Sequence, residues 1–257
     1  MIDTLKNRPV LASLFCISLL FLLFYALPAE AQQFSMDLGE EGSLSGRVVQ
    51  LLLLMTVLSL APAILVVVTS FTRIIIVFSL LRSAMGTQQT PPNVVLISLA
   101  LFLTGFIMAP TIKDAYDQGI SPLINEQITE EEAFDLTVQP FHTFMMRHVR
   151  EKDLLLFLDL SNTEQPENPA ATPLQVLVPA FMISELRRAF EIGFLIFVPF
   201  IIIDLIVASI LMSMGMMMLP PVMISLPFKL IFFVLVDGWH LIAGSLIQSF
   251  NTGLPAG

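Results

Sequence analysis

Five apolar runs, each of about the length needed to cross a lipid bilayer, are the feature that most restricts how this chain can fold. Across the whole sequence, 56% of the residues are hydrophobic and only 13% are charged. A spanning helix needs about 20 mostly apolar residues, and its backbone must satisfy its own hydrogen bonds inside the bilayer. We therefore predict an all-α, multi-span membrane protein. The runs cover residues 10–27, 48–68, 94–109, 192–211 and 222–250.

The first apolar run has the features of a secretory signal peptide. Basic residues precede it, and a small-x-small sequence of the kind that a signal peptidase accepts follows it, ending at Ala31. We expect cleavage between Ala31 and Gln32, which removes residues 1–31 and leaves residues 32–47 as a short periplasmic tail. An uncleaved signal anchor is the alternative, because the run is long for a signal peptide.

The other four runs predict two helical hairpins, residues 48–110 and 192–250, followed by a C-terminal tail at 251–257. We predict that the loop of the first hairpin carries two basic residues, Arg73 and Arg82, and no acidic residue. Cytoplasmic loops of membrane proteins carry an excess of Lys and Arg. We therefore expect this loop to face the cytoplasm.

The segment between the two hairpins, residues 111–191, carries nearly all of the net charge. It contains 14 acidic and 6 basic side chains, against a net charge of −9 for the whole chain. Water must solvate such a segment, and the orientation of the first hairpin puts it on the periplasmic side. Thr129 is followed by three glutamates and then by apolar residues at helical spacing, which predicts a capped helix. We expect the segment to be mostly helical.

No motif in the sequence indicates catalysis or a bound cofactor. The sequence has no phosphate-binding glycine loop, no metal-binding histidine pair at helical spacing and no nucleophile elbow. His142 and His148 are six residues apart, so on a helix they point in different directions and would not share a metal. We predict a protein that is not an enzyme and that holds no metal or other cofactor.

Four polar residues interrupt the last two apolar runs: Asp204, Lys229, Asp237 and His240. An unpaired charge in hydrocarbon costs roughly 3 kcal/mol or more, so these residues need partners. If the last hairpin turns at its Pro-Pro pair, a rise of about 1.5 Å per residue puts Asp204 level with Asp237 and His240. On that count Lys229 lies nearer to the turn, with no acid at its own depth in its own hairpin.

These intramembrane charges have three interpretations. Ion pairs and hydrogen bonds that fix the register of helices and subunits are the favoured one. Alternatively, Asp204 and Asp237 with a nearby histidine form the ion path of a secondary transporter, although no internal repeat typical of transporters is visible. The third interpretation is an intramembrane aspartyl protease, but the sequence lacks the Gly-x-Gly-Asp motif expected of such an enzyme.

Methionines are concentrated where the last two apolar runs meet. Six of them fall within residues 212–223, around Gly215 and a Pro-Pro pair. Methionine is unbranched and polarizable, and it repacks around varied shapes. Repeated by symmetry around an axis, such turns would form a soft constriction that closes without a substrate and conforms to one in transit. Simple hydrophobic filling at the end of a span is the alternative.

Two blocks of the sequence resemble the FliP family, flagellar biosynthesis proteins of the bacterial type III export gate. Residues 71–110 read FTRIIIVFSLLRSAMGTQQTPPNVVLISLALFLTGFIMAP. Residues 179–250 read PAFMISELRRAFEIGFLIFVPFIIIDLIVASILMSMGMMMLPPVMISLPFKLIFFVLVDGWHLIAGSLIQSF. The resemblance extends over about residues 48–250, and GTQQTPPN is more similar to the flagellar branch than to the injectisome branch.

The resemblance implies a non-enzymatic, pore-forming subunit of a helical export gate. Family members assemble as a pentamer with the FliQ and FliR subunits in the inner membrane, within the flagellar basal body. They act with other export-gate proteins, pass unfolded flagellar proteins and bind no nucleic acid. The resemblance also implies that much of the apparently membrane-spanning chain is lifted out of the bilayer plane.

The resemblance further implies roles for particular residues. Glu185 and Lys229 are expected to form a structural ion pair between subunits or layers. The family's gasket, which seals the pore, corresponds to Met216, Met217 and Met218. Where this chain has His240, the family more often has Gln, which leaves the role of this residue open.

Overall fold

The computed structural model describes residues 44–166, 168–216 and 219–251. The predicted signal peptide, its cleavage site between Ala31 and Gln32, and most of the predicted N-terminal tail lie outside these residues. So does the predicted C-terminal tail after its first residue. The expectations for those parts of the chain stay predictions.

All regular secondary structure in the described ranges is helical, which confirms the predicted all-α class there. The helices are α1 (Leu44–Val68), α2 (Phe71–Met85), α3 (Asn93–Ala115), α4 (Ser121–Ile124), α5 (Glu130–His148), α6 (Glu151–Leu160), α7 (Leu174–Ser213), α8 (Pro221–Leu235) and α9 (Gly238–Asn251). A π-helical turn (Tyr116–Ile120) follows α3, and a short 3-10 turn (Pro169–Ala171) precedes α7.

The chain divides into two compact units, residues 1–56 and 57–257. The described part of the first unit is the start of α1, an apolar helix with exposed leucines such as Leu52 and Leu53. The second unit contains the rest of α1 and all of α2 to α9.

Two continuous helical stretches are long and apolar enough to cross a membrane. They are Asn93–Ile124, which runs from α3 through α4, and α7, which is 40 residues long. Two bent helix pairs also qualify if each is one span, namely the two parts of α1 and the pair α8 and α9. The described residues therefore have two to four candidate spans. The predicted hairpins and their orientation stay predictions.

Helix α2 forms much of the hydrophobic core of the second unit. Ile74, Val77 and Phe78 of this helix are completely buried. They pack in a cluster with side chains from α3, α5, α7 and α9. A smaller cluster combines the C-terminal part of α2 with Phe200 of α7 and Phe233 of α8. Burial of such side chains is the main favourable term in helix packing.

A glycine allows α7 to pack closely against α2. A Cβ added at Gly193 would collide with the Leu80 side chain, and it would lie 3.2 Å from the Leu80 Cβ. Even that distance is tighter than ordinary van der Waals contact. Gly193 therefore lets α7 lie directly against α2.

Arg73 and Arg82 do not lie in a loop, so the prediction of a basic loop is wrong for both. Both belong to α2, and Arg73 is buried in the first turn of that helix. The connection to α3 is shorter, residues 86–92, and it carries no basic residue. Arg82 lies in the last turn of α2, where it bonds to Asn93 and to the carbonyl of Pro91. The helix continues through Arg73 because its charge is neutralised inside the protein.

The acidic segment 111–191 is mostly helical, as predicted. Thr129 caps α5, since its side chain accepts a hydrogen bond from the Glu132 backbone N–H at 3.3 Å. The predicted boundary at residue 191 falls inside α7, which continues through it without a break. A tight contact joins the π-helical turn to α5, because a Cβ at Gly119 would lie 2.8 Å from the carbonyl oxygen of Ala133.

Candidate functional site

The connection between α7 and α8 presents methionine side chains to the outside. Met214, Met216 and Met223 are 66%, 41% and 73% exposed. Gly215 has φ +74°, a left-handed conformation that glycine adopts without strain, and it ends α7 directly after Ser213 and Met214. The predicted gasket residues Met217 and Met218 lie outside the described residues. The site is therefore a turn with exposed, flexible apolar side chains on both of its flanks.

A partly buried ion pair, with Lys229 5% and Asp204 33% exposed, joins the two helices that lead into this turn. The Lys229 ammonium of α8 donates to Asp204 Oδ2 of α7 at 2.6 Å, and the Ser225 hydroxyl donates to the other carboxylate oxygen. Lys229 also donates to the backbone carbonyl of Ala84, at 3.3 Å. That carbonyl belongs to the last turn of α2, where a cation is favoured by the helix dipole. Lys229 therefore connects three helices.

The predicted depth of Lys229 is wrong, because the turn is not centred on the Pro-Pro pair. Helix α7 ends at Ser213 and α8 begins at Pro221, so a seven-residue connection separates them. Asp204 and Lys229 are nine and eight residues from these ends, which puts each about 12–14 Å along its helix from the turn. Lys229 therefore has an acid at its own depth, in the neighbouring helix.

A second ion pair lies between α2 and α7. Arg73 is 1% exposed and Glu185 is fully buried. The Arg73 Nε donates to Glu185 Oε2 at 2.8 Å, and Nη2 donates to Oε1. Two parallel bonds of this kind are the strongest geometry for a guanidinium and a carboxylate.

The same guanidinium also holds the C-terminal helix α9. Arg73 Nη1 donates to the Ser249 hydroxyl at 2.9 Å, and the guanidinium carbon lies 3.7 Å from the centre of the Phe250 ring. Such a cation–π contact adds attraction where the cation is desolvated. Arg73 thus joins three helices, as Lys229 does.

Within the chain, Glu185 and Lys229 do not pair with each other, and the predicted pair between subunits or layers stays a prediction. Glu185 is held by Arg73, and Lys229 is held by Asp204. A bridge between subunits made by these two residues would require both to exchange their present partners. Separating Glu185 from Arg73 alone would cost about 3–5 kcal/mol, because that pair is buried.

Asp237 and His240 lie away from the Asp204 pair. Both are exposed and lie near the bend between α8 and α9, where the helix axes differ by 61°. Asp237 has φ +49°, and Gly238 follows it with its Cα against the Phe233 ring. Within the described ranges, no hydrogen bond or ion pair joins Asp237 to Asp204.

His142 and His148 occupy separate environments on α5. His142 Nε2 lies 2.8 Å from the carbonyl oxygen of Thr172. His148 is buried between the rings of Phe144 and Phe250, with centroids 4.7 and 5.2 Å away. Among the described residues, no group of three or more His, Cys, Asp or Glu side chains is arranged to hold a metal ion.

Burial lowers the pKa of His148 from 6.5 to about 3. Desolvation of the ring is the main cause, and the positive charges of Arg73, Arg188 and Arg147 add to it. His148 is therefore a neutral aromatic side chain at physiological pH.

A hydroxyl-centred cluster attaches α6 to α7. The Ser184 hydroxyl donates to Asp153 Oδ2 at 2.7 Å and accepts from the backbone N–H of Arg150 at 3.0 Å. Reasoning from the sequence did not identify Arg73, Asp153 or Ser184 as participants. Arg73 carried a usable signal, because a lone cation inside an apolar run needs a buried partner. Asp153 and Ser184 carried none, since they become neighbours only through the packing of two helices.

These features define a class: a protein that is all-helical in its described residues, has helices that could span a membrane, and combines ion pairs between those helices with a methionine-rich turn. A model of the FliP family matches residues 54–246. The chain is 60% identical over 230 residues to the flagellar biosynthetic protein FliP of Caulobacter vibrioides, covering 88% of this chain and 86% of that protein.

Two further relatives with the same description agree. The protein of Bacillus subtilis is 57% identical over 202 residues, which cover 79% of this chain and 91% of the relative. The protein of Agrobacterium fabrum is 52% identical over 233 residues, which cover 88% of this chain and 95% of that relative. The chain belongs to the FliP family, as the resemblance predicted. It is a component of flagellar biosynthesis and export that works with other export proteins.

Proposed function

We propose that this chain is a pore-forming subunit of the flagellar type III export gate in the bacterial inner membrane. In this proposal five copies assemble with FliQ and FliR, and unfolded flagellar proteins pass through the assembly. The segment 111–191 lies on the periplasmic side, and the signal peptide is cleaved after Ala31. The observation that carries the proposal is the exposed methionine-rich turn between α7 and α8.

The methionine turn acts as a gasket in the proposed pore. Met214, Met216 and Met223 are exposed on the flanks of the turn, so they are available to line an opening. Met217 and Met218 complete the gasket in the proposal. Thioether side chains can close an apolar constriction against water and ions, and they can repack around a passing chain.

The gasket is attached to a firm base. The Lys229–Asp204 pair and the carbonyl of Ala84 hold α7, α8 and α2 together about 12–14 Å from the turn. The tip can therefore repack while the helices that carry it keep their register. A gate that opens for one substrate and closes again needs this combination.

The surfaces of α7 and α8 are suited to contact with lipid or with further subunits. Leu205, Phe228 and Leu235 are each more than half exposed in the single chain. An exposed apolar surface of this extent indicates an interface or a membrane-facing surface. This supports assembly into a multi-copy complex.

The transporter alternative has no observation in its favour. Asp204 already has two partners, Lys229 and Ser225, which leaves little of its carboxylate free for an ion. Asp237 is exposed at the bend between α8 and α9 and has no contact with Asp204 in the described part of the chain.

Replacing the gasket methionines tests the proposal. We expect alanine at Met216, Met217 and Met218 to leave the complex assembled but to make the membrane leaky to small ions, because the seal loses its bulk. The matched control has leucine at the same three positions, which keeps the apolar volume, and it should leak far less. Ion flux in cells and the native mass of the extracted complex are the measurements. An assembled alanine variant without a leak would reduce these methionines to hydrophobic filling.

A further inference from the structure

An open-sided apolar groove runs between α7 and α9. Its volume is about 340 Å³, comparable with sites that hold small apolar ligands. Ile192, Leu195 and Ile196 form the α7 wall, and Leu241, Ile242 and Leu246 form most of the α9 wall. Ser245 and Ser249 are its polar lining residues. The α7 wall belongs to a helix that could span a membrane.

A basic side chain lies one turn beyond the α7 wall. Arg188 precedes Ile192 by four residues, which places both on the same face of the helix. It is partly buried, and it makes no hydrogen bond or ion pair with any described residue. Its neighbour Arg187, in contrast, is exposed and bonded to Glu191 at 2.8 Å.

Two positive and two negative side chains surround Arg188. Arg73 and Arg150 are the like charges that face it, and Glu185 and Glu191 are the opposite ones. Both glutamates are already bound, the first by Arg73 and the second by Arg187. Arg188 is thus a guanidinium without an available carboxylate.

Arg150 has a buried donor that is not fully satisfied. Its Nη1 forms an ion pair with Asp153 Oδ2 at 3.7 Å, but it has no hydrogen-bond partner among the described residues. A buried donor without a partner is costly, so such groups are normally satisfied by protein, water or a ligand. Arg150 and Arg188 are close enough for their charges to repel each other.

We propose that this groove binds one anionic phospholipid. An acyl chain lies between Ile192, Ile196 and Leu246, and the phosphate accepts hydrogen bonds from Arg188. The combination requires an amphiphile, because the groove is apolar and the charge lies only at one end. Guanidinium groups recognise phosphate through paired hydrogen bonds, which a neutral apolar ligand cannot offer.

Native mass spectrometry of the full chain in detergent tests the proposal with phosphatidylglycerol and phosphatidylcholine as probes. We expect phosphatidylglycerol to be retained at least about tenfold better than phosphatidylcholine. Arg188→Gln should reduce its retention to the phosphatidylcholine level. The matched control Arg187→Gln should change retention less than about twofold, because Arg187 is exposed and already paired.

The apolar part of the site is tested separately. Ser245→Phe fills the groove from the α9 side without changing its charge, so it should abolish retention of the lipid. An unchanged melting temperature of each variant in detergent shows that it remains folded. The proposal is overturned if both arginine variants lose the lipid equally, or if Ser245→Phe retains it.

Two further outcomes would also overturn it. Inorganic phosphate that displaces the lipid at equal concentration would indicate a site for a free anion. Dimers of the chain that disappear in Ser245→Phe would indicate a second copy in the groove. Lipid retention is measured on the single chain, so its failure is distinguishable from a failure of pentamer assembly.

Discussion

Arg73 and Lys229 each bring three helices together through a single buried cation. Arg73 of α2 bonds to Glu185 of α7 and Ser249 of α9. Lys229 of α8 bonds to Asp204 of α7 and to the end of α2. A buried pair is a weak source of net stability, yet removing one partner leaves a charge that nothing neutralises. At the scale of the residue, we therefore expect these pairs to fix the register of the helices rather than to add stability.

Double-mutant analysis of Lys229 and Asp204 measures this coupling. Asp204→Asn should lower the free energy of unfolding by about 3–5 kcal/mol, because it leaves the buried Lys229 charge without its partner. Lys229→Met should cost less, because Asp204 is 33% exposed and keeps its hydrogen bond from Ser225. The double variant should lose less than the sum, by at least about 1 kcal/mol. Chemical denaturation in detergent measures all three. Additive losses would mean that the two side chains do not act as a pair.

Acid should destabilise the chain through His148. The pKa of His148 is about 3 in the folded protein and 6.5 for an ordinary histidine. Between these two pH values the unfolded state binds a proton at this residue and the folded state does not. Stability is therefore full above pH 6.5 and falls as the pH drops toward 3, by up to about 1.4 kcal/mol per unit.

The variant His148→Gln isolates this effect, because it cannot take up the proton. Comparing melting temperatures of both proteins between pH 7 and 4 removes the contribution of the carboxylates, which are the same in both. We expect the difference between the two proteins to shrink as the pH falls. A constant difference across this range would show that His148 is not kept neutral by burial.

At the scale of the element, two glycines make a matched pair of positions. A Cβ at Gly119 would collide with the Thr137 side chain and lie 2.8 Å from the carbonyl oxygen of Ala133. A Cβ at Gly105, inside α3, would meet nothing within 4 Å. We expect Gly119→Ala to destabilise the chain by roughly 1–3 kcal/mol, because the backbone of α5 or of the π-helical turn must shift to make room for the methyl group.

Gly105→Ala should be neutral or stabilising by up to about 1 kcal/mol, because alanine favours the helix. Thermal unfolding of both variants in the same detergent measures the contrast. Equal effects at the two positions would contradict the close packing of the π-helical turn against α5.

The sequence predicted where individual helices form better than it predicted which helices pack against each other. Thr129 and the glutamates after it form a local signal, and the helix begins there because a capping side chain acts within one turn. The prediction of a basic loop was wrong because it rested on the charge of Arg73 alone, although the residues around Arg73 in the sequence are apolar. The predicted depth of Lys229 was wrong because the Pro-Pro pair lies at the start of α8 and not at the centre of the connection.

The contacts of the candidate site needed the three-dimensional structure. Glu185 was identified from the sequence, but its partner Arg73 is 112 residues away in the chain. Pairing over such a distance depends on how α2 packs against α7, which has no local signal. The methionine turn, in contrast, was evident from composition, because six methionines around a glycine form an unusual cluster within one short segment.

At the scale of the whole molecule, the single chain is not a sufficient unit for the proposed function. Its apolar groups remain exposed along α7 and α8, and one turn with a few methionines cannot enclose a pore. Closed rings of identical subunits bury such surfaces and repeat one turn around an axis. The gasket and the multi-copy assembly are therefore parts of one claim.

The native mass of the gently extracted chain tests that claim most directly. The chain is expressed alone and then together with FliQ and FliR, and the mass of each complex is measured. We predict a discrete multi-copy assembly that grows by further subunits when the partners are present. A stable monomer or dimer whose mass is unchanged by FliQ and FliR would contradict the account.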